Sequence, residues 1–156
     1  MTRALLVLAS LAASVAARAD VKPEEVPAES IRSGHFEKND SGLKGDASFL
    51  ILRDLESFEK VFGTVPPLGG RKANPVTKAD FEKGAVVAVI TRAAATTAYG
   101  ELKSDREGGT FTLHYKSVTG PAGTANFASP LIVVVPKEKL KRAVFIANGK
   151  EAGTAE

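Results

Sequence analysis

Two histidines and no cysteine set the chemical limits of this 156-residue chain. Without a thiolate there is no cysteine nucleophile and no thiolate-bound zinc. His35 and His114 are the only imidazoles, and neither has the ligand spacing of an H-E-x-x-H helix. His114 falls on the polar face of a strand and His35 near a strand edge, so both read as structural or surface residues. No G-x-S-x-G elbow offers a serine nucleophile. Gly69-Gly70-Arg71-Lys72 lacks the spacing of a phosphate loop, and Asn39-Asp40-Ser41-Gly42 reads as a turn rather than a calcium loop. Paired carboxylates for glycoside cleavage need no sequence signature, because such a pair is made in space. Asp54, Glu56, Asp80 and Glu101 are the candidates by position, although Asp54 also suits a helix cap and Glu56 a wet helix face. No catalytic residue, metal ligand or cofactor is assigned.

Loop surface remains. Arg92–Gly100 is rich in small residues and then gives an aromatic beside a glycine. Thr96, Thr97, Tyr99 and Gly100 are therefore the candidate partner-binding residues, since a tyrosine brings contact area at low entropy cost. The competing reading makes Tyr99 a core residue and the alanines a tight crossing. Phe127 reads as a loop anchor packed inward.

These residues must be held by elements that the pattern also predicts. A first strand falls within 30–38 and a second over Ala47–Leu52. Asp54 caps a helix that carries Leu55, Phe58 and Phe62 on one face and ends at a left-handed Gly63. Residues 64–75, with three prolines and two adjacent glycines, form a long loop of the kind kept for binding. Thr77 caps a further turn through Asp80 and Phe81. Ala85–Ile90 is a central strand covered on both faces. Tyr99–Ser104 and Thr110–Ser117 form a hairpin, and Ser129–Val135 is a buried strand ended by Pro136. Ala143–Ala147 is the last strand, closed by Asn148-Gly149. The fold class is α+β and β-rich: a mainly antiparallel, sandwich-like sheet of about six or seven strands with one short helix.

Arg3, the apolar run Ala4–Ala16 and Ala17-Arg18-Ala19 have the order of a secretory signal peptide. Residues 1–19 are expected to be removed, leaving a secreted or periplasmic chain from Asp20. A flexible leader over 20–29, one β-rich domain over 30–148 and a frayed tail over 149–156 complete the expected organisation. The net charge of +3 falls close to neutrality once Arg3 and Arg18 leave. That balance argues against a nucleic-acid partner. No later apolar run reaches membrane-spanning length.

The order of features also carries a family likeness. It comprises Ser57-Phe58 with Phe62, then Asp80-Phe81-Glu82-Lys83 leading into Val86-Val87-Ala88-Val89. A loop ending at Tyr99, the hairpin, and Leu131–Val135 with Pro136 follow. This resembles the C-terminal-domain family of the protease complex subunit PrcB over about residues 47–147. In that family a G-x-x-P-T-G-G-Y loop precedes the hairpin; here the place reads Thr91–Tyr99, and Thr96 or Thr97 and Tyr99 carry across. The resemblance implies a small β-rich extracytoplasmic domain that supports or regulates an exported protease without catalysing anything itself.

The expected function is thus an exported, non-catalytic domain that binds another protein, such as an exported protease or another envelope protein. The alternative is an exported carboxylate-dependent hydrolase acting on glycans. A small-ligand binder using the 64–75 loop is a third reading.

Overall fold

The computed structural model describes residues 21–66 and 72–156. The expected signal peptide and residues 67–71 of the long loop lie outside them. In chain order the elements are β1 (Glu24–Glu25), a 3-10 turn (Ala28–Ser30), β2 (Ile31–Arg32), β3 (His35–Glu37) and β4 (Ala47–Leu52). Next come α1 (Leu55–Val61), β5 (Phe62–Thr64), α2 (Asp80–Lys83), β6 (Gly84–Ala93) and β7 (Thr97–Glu107). The chain closes with β8 (Thr110–Thr119), β9 (Phe127–Pro136), β10 (Arg142–Ala147) and β11 (Lys150–Ala155).

β1-β7-β8-β10-β11 form a five-stranded sheet and β2-β9-β6-β4 a four-stranded one, with β3-β5 as a small third ribbon. Pairing is antiparallel throughout except between β8 and β10, which run parallel. β6 explains the layering. Its Ala85, Val87 and Val89 face a core shared with Leu113, Tyr115 and Phe145 of the other sheet. Its Val86, Ala88 and Ile90 face a second core, filled by Phe58 and Val61 of α1, Phe62 and Phe81. An unbroken apolar strand is the consequence of burial on both faces. The architecture is the β-rich, sandwich-like α+β fold that the pattern predicts, with the helices packed outside the four-stranded sheet.

Local chemistry sets the helix ends. Asp54 Oδ1 accepts the Ser57 N–H at 2.7 Å, which caps α1 as expected. Gly63 does not end it in a left-handed turn. α1 runs straight into β5 through an extended Phe62, and Gly63 lies in that strand. Its missing side chain makes room for the Phe36 ring, which a Cβ there would overlap. Thr77 is likewise no cap for α2: Asp80 Oδ2 accepts both the Thr77 N–H, at 2.8 Å, and its hydroxyl. Arg32 binds both oxygens of the same carboxylate. Those hydrogen bonds and the Arg32 charge hold the Asp80 carboxyl below its ordinary 3.8, although burial pushes it up.

Two segments expected to be loose are docked. In the leader, Val26 is buried in the main core and its N–H donates to the Leu102 carbonyl at 3.0 Å. The β1 ladder to β7 at Ser104 and Lys103 holds it as well. The expected first strand is split into β2 and β3 at Gly34, whose φ is +80°. At the other end the tail is not frayed. Asn148 and Gly149 both have positive φ, 51° and 81°, the mark of a type I′ hairpin turn. β11 then pairs with β10, and Gly153 lies under the Phe49 ring.

His35 joins β3 to the segment that leads into α2. The Val76 N–H donates to Nε2 at 2.9 Å, so that nitrogen is unprotonated, and Nδ1 donates to the Gly63 carbonyl at 3.2 Å. Burial lowers its pKa from 6.5, against the opposing pull of the Gly63 hydrogen bond. The unfolded chain therefore takes up this proton more readily than the folded one. His35 contributes stability in full above about 6.5, lost as the pH falls from there toward the lower folded value. The urea midpoint should drop between pH 7.5 and 5.5, and His35→Gln should remove part of that drop. An unchanged pH profile in the variant would contradict the assignment.

Candidate functional site

The loops at one end of the sandwich meet through their backbones. The Gly123 N–H donates to the Ala94 carbonyl at 2.7 Å and the Gly120 N–H to the Thr96 carbonyl at 3.1 Å. β7 and β8 begin and end here, with Ala98 opposite Val118, and β9 starts here with Phe127 opposite Ala93. Every residue from 118 to 128 is exposed, as are Thr96 and Ala98. Val118 is 69% exposed and Phe127 42%. Neither 93–100 nor 117–136 contains a charged residue, in a chain that is 25% charged. A solvated loop cluster would carry several charges, so this end departs from an ordinary wet surface. Two ion pairs border it: Lys116 Nζ to Glu101 Oε1 at 2.6 Å, and Glu37 with Arg92, the register partner of Ala128.

The residues singled out from sequence are gathered here, with different roles. Thr96 is exposed. Thr97 is buried: its N–H donates to Ser129 Oγ at 2.9 Å and its hydroxyl lies 3.0 Å from that of Thr119. Tyr99 turns its ring into the main core, edge-on to Tyr115 at 5.7 Å. Its hydroxyl lies 2.7 Å from the Ser129 carbonyl and 2.9 Å from Thr91 Oγ1. One phenol carries one proton, so it donates to the carbonyl and accepts from Thr91. Burial pushes both phenols up, Tyr115 to about 12. The Tyr99 side chain therefore ties β7 to β9. Gly100 is half-buried, with open space where a side chain would stand. Val118 escaped the sequence reading, and Phe127 is not packed inward as expected. The readable signal for both was the long stretch without charge.

The candidate carboxylates answer to separate partners. Asp54 caps α1, Glu56 pairs with Lys60, Asp80 with Arg32 and Glu101 with Lys116. Asp80 also lines an open groove of about 820 Å³ with Glu82 and Glu138, where Lys83 and Lys137 stand among them. Two S-x-x-K spellings occur, at Ser41–Lys44 and Ser57–Lys60. The Ser57 hydroxyl donates to Asp54 and Lys60 to Glu56, while the Ser41 hydroxyl donates to Glu37. His114 Nε2 lies 2.7 Å from Asp105 Oδ2 across the β7–β8 ladder. Among the described residues, no group of three or more His, Asp or Glu is placed to hold a metal ion, and no helix is long and apolar enough to cross a membrane.

No family model, no curated protein and no solved structure matches this chain.

Proposed function

We propose that this chain is an exported, non-catalytic domain that binds another protein through the uncharged end built from 94–98 and 118–128. The observation that carries the reading is the exposure of Val118 and Phe127 within a surface free of charge. Covering such a surface costs little desolvation, and an exposed aromatic supplies an anchor. Export rests on the signal-like order of residues 1–19. An extracytoplasmic protease as the partner, supported or regulated by this domain, rests on the resemblance of residues 47–147.

The test compares two baits in a pull-down from the envelope and secreted fractions. One is the native protein and the other carries Val118→Asp and Phe127→Asp. Both side chains are exposed, so the variant should unfold within about 0.5 kcal/mol of the native protein. Recovery of the partner should fall at least about tenfold, the scale set by losing one interface anchor. Equal recovery by both baits, or no partner above background, would sink the reading.

A further inference from the structure

Of the four edges of the two main sheets, three are protected. β1 and β2 are two residues long. β11 carries Lys150 and Glu151, with a bulge opposite Phe145 and Ile146. Short length, charge and bulges are the devices that keep an edge strand from pairing with another chain. β4, the outer strand of the four-stranded sheet, has none of them. Its six residues, Ala47–Leu52, include no charge and no proline, and their register with β6 is unbroken. Such a segment is a template for a further strand.

The ladder shows which main-chain groups are left over. Opposed residues of an antiparallel pair turn toward each other and away from each other in alternation. The Arg92 N–H donates to the Asp46 carbonyl at 2.7 Å, so those two residues turn inward. Ser48, Leu50 and Leu52 therefore point their N–H and carbonyl at β6, and Ala47, Phe49 and Ile51 point theirs away. Two prolines agree. Pro130 and Pro136 have no N–H for β6, and they stand opposite Ile90 and Gly84, which turn to β4. Among the described residues, no hydrogen bond reaches the main chain of Ala47, Phe49 or Ile51.

The edge is also open. Ala47 is exposed, and Phe49, Leu50 and Ile51 are only half-buried although they alternate between the two cores. β11 does not close it. Gly153 meets the Phe49 ring, and strand side chains stand perpendicular to their sheet, so β11 covers the face of β4 and leaves its edge clear.

We propose that two copies of this chain pair through β4, antiparallel, and join their four-stranded sheets around a two-fold axis at Phe49. Ala47 then lies opposite Ile51 of the other copy, and Phe49 opposite itself. Every outward N–H and carbonyl meets a partner, about six hydrogen bonds in all. The flanking charges select this arrangement. Lys44 and Asp46 precede the strand, and Arg53 and Asp54 follow it. Antiparallel pairing brings each copy's first flank to the other's second, with one charge of either sign on both sides. Parallel pairing would set Asp46 beside Asp46 and Arg53 beside Arg53. The register with Phe49 on the axis turns the exposed Lys44 toward Asp54 of the other copy. The next in-phase register would turn Asp46 toward it, like against like. The contact closes on itself, because each copy has one such edge and uses it. This pairing does not depend on the protein-binding reading above.

Sedimentation equilibrium of the purified protein over a concentration series measures it. The mass should rise to twice that of one chain, and exchange of the Phe49 amide should slow at least about tenfold as the dimer fills. Ala47→Pro and Ala47→Lys both change an exposed residue. The proline removes only an N–H that points away from β6, and lysine is the guard that natural edges carry. Each should raise the dimer dissociation constant at least about tenfold while leaving the urea midpoint of the monomer in place. Val118→Asp with Phe127→Asp should leave the dimer intact. A chain that stays single up to about 1 mM overturns the inference. So does a dimer that both Ala47 variants leave as tight as before, or one that is lost with Val118 and Phe127 and so forms through the uncharged end. Mass that climbs past two copies means open-ended association, and Phe49 protection that comes only with a captured partner makes that partner the occupant; either result also overturns self-pairing. Failure of the dimer leaves the protein-binding reading to its own pull-down.

Discussion

Glu37→Gln should lower the stability of this domain by about 3 kcal/mol, because it strips the partner from a largely buried guanidinium. Arg92 Nε and Nη2 donate to the two oxygens of Glu37 at 2.8 and 2.6 Å, and Nη1 reaches the Gly45 carbonyl and Ser48 Oγ at 3.0 Å each. The side chains are only 20% and 8% exposed. One cation thereby ties β3, the turn at Gly45, the start of β4 and the far end of β6 into one body. Replacing both partners, as Glu37→Leu with Arg92→Leu, should recover much of the loss, since neither charge is then left buried alone. Urea unfolding of the single and double variants separates the pair from mere packing. The same carboxylate gives an acid limb. Burial pushes the Glu37 carboxyl up, but hydrogen bonds from Arg92 and Ser41 and the charge of Arg92 outweigh it and hold it below 4.5. Its contribution is complete above that ordinary value and is lost as the pH falls through the lower folded one. Glu37→Gln should flatten that limb. A single variant as stable as the native protein would overturn the account.

Ending the chain after Gly149 should cost a further large amount, about 3 kcal/mol, the worth of burying one large aromatic. β11 pairs with the outer side of β10 from Ala143 to Ala147, and the Phe49 ring packs both on Gly153 and against Phe145, 4.9 Å away. Without β11, Phe49 loses the surface beneath it and β10 becomes a bare edge. The thermal midpoint of the truncated chain measures this. Gly153→Val, which drives a side chain into the same ring, should move it in the same direction. A silent truncation would restore the frayed tail that composition predicts.

Composition predicts that tail because Lys150–Ala155 has almost nothing to bury on its own. Its place comes from Phe49, about a hundred residues earlier, and from an Asn-Gly turn whose hairpin meaning was readable. The opposite holds for Ala47–Leu52, Ala85–Ile90 and Leu131–Val135. Each must be a strand whatever surrounds it, because each run is too apolar for a loop and too short for a helix. Gly63 shows the limit between these cases: a glycine after a helix reads as a cap, while here it answers to the Phe36 ring. The same divide runs through the site. Sequence found the segment that carries Thr96–Gly100, since small residues beside an aromatic stand out. It did not give the inward turn of Tyr99, which depends on Ser129 and Thr91 lying across the gap between sheets. Val118 and Phe127 were legible only as a silence, a run of twenty residues without charge.

The parallel pairing of β8 with β10 has a kinetic consequence. Chain leaving β8 must first be laid into the middle of the opposite sheet as β9 before it can return to lie beside where it left. Neither layer can therefore be finished from its own contiguous stretch, and completion of the larger one waits for β10 and β11. Such non-local ordering slows folding. A chain built this way is held back from early compaction by its own wiring.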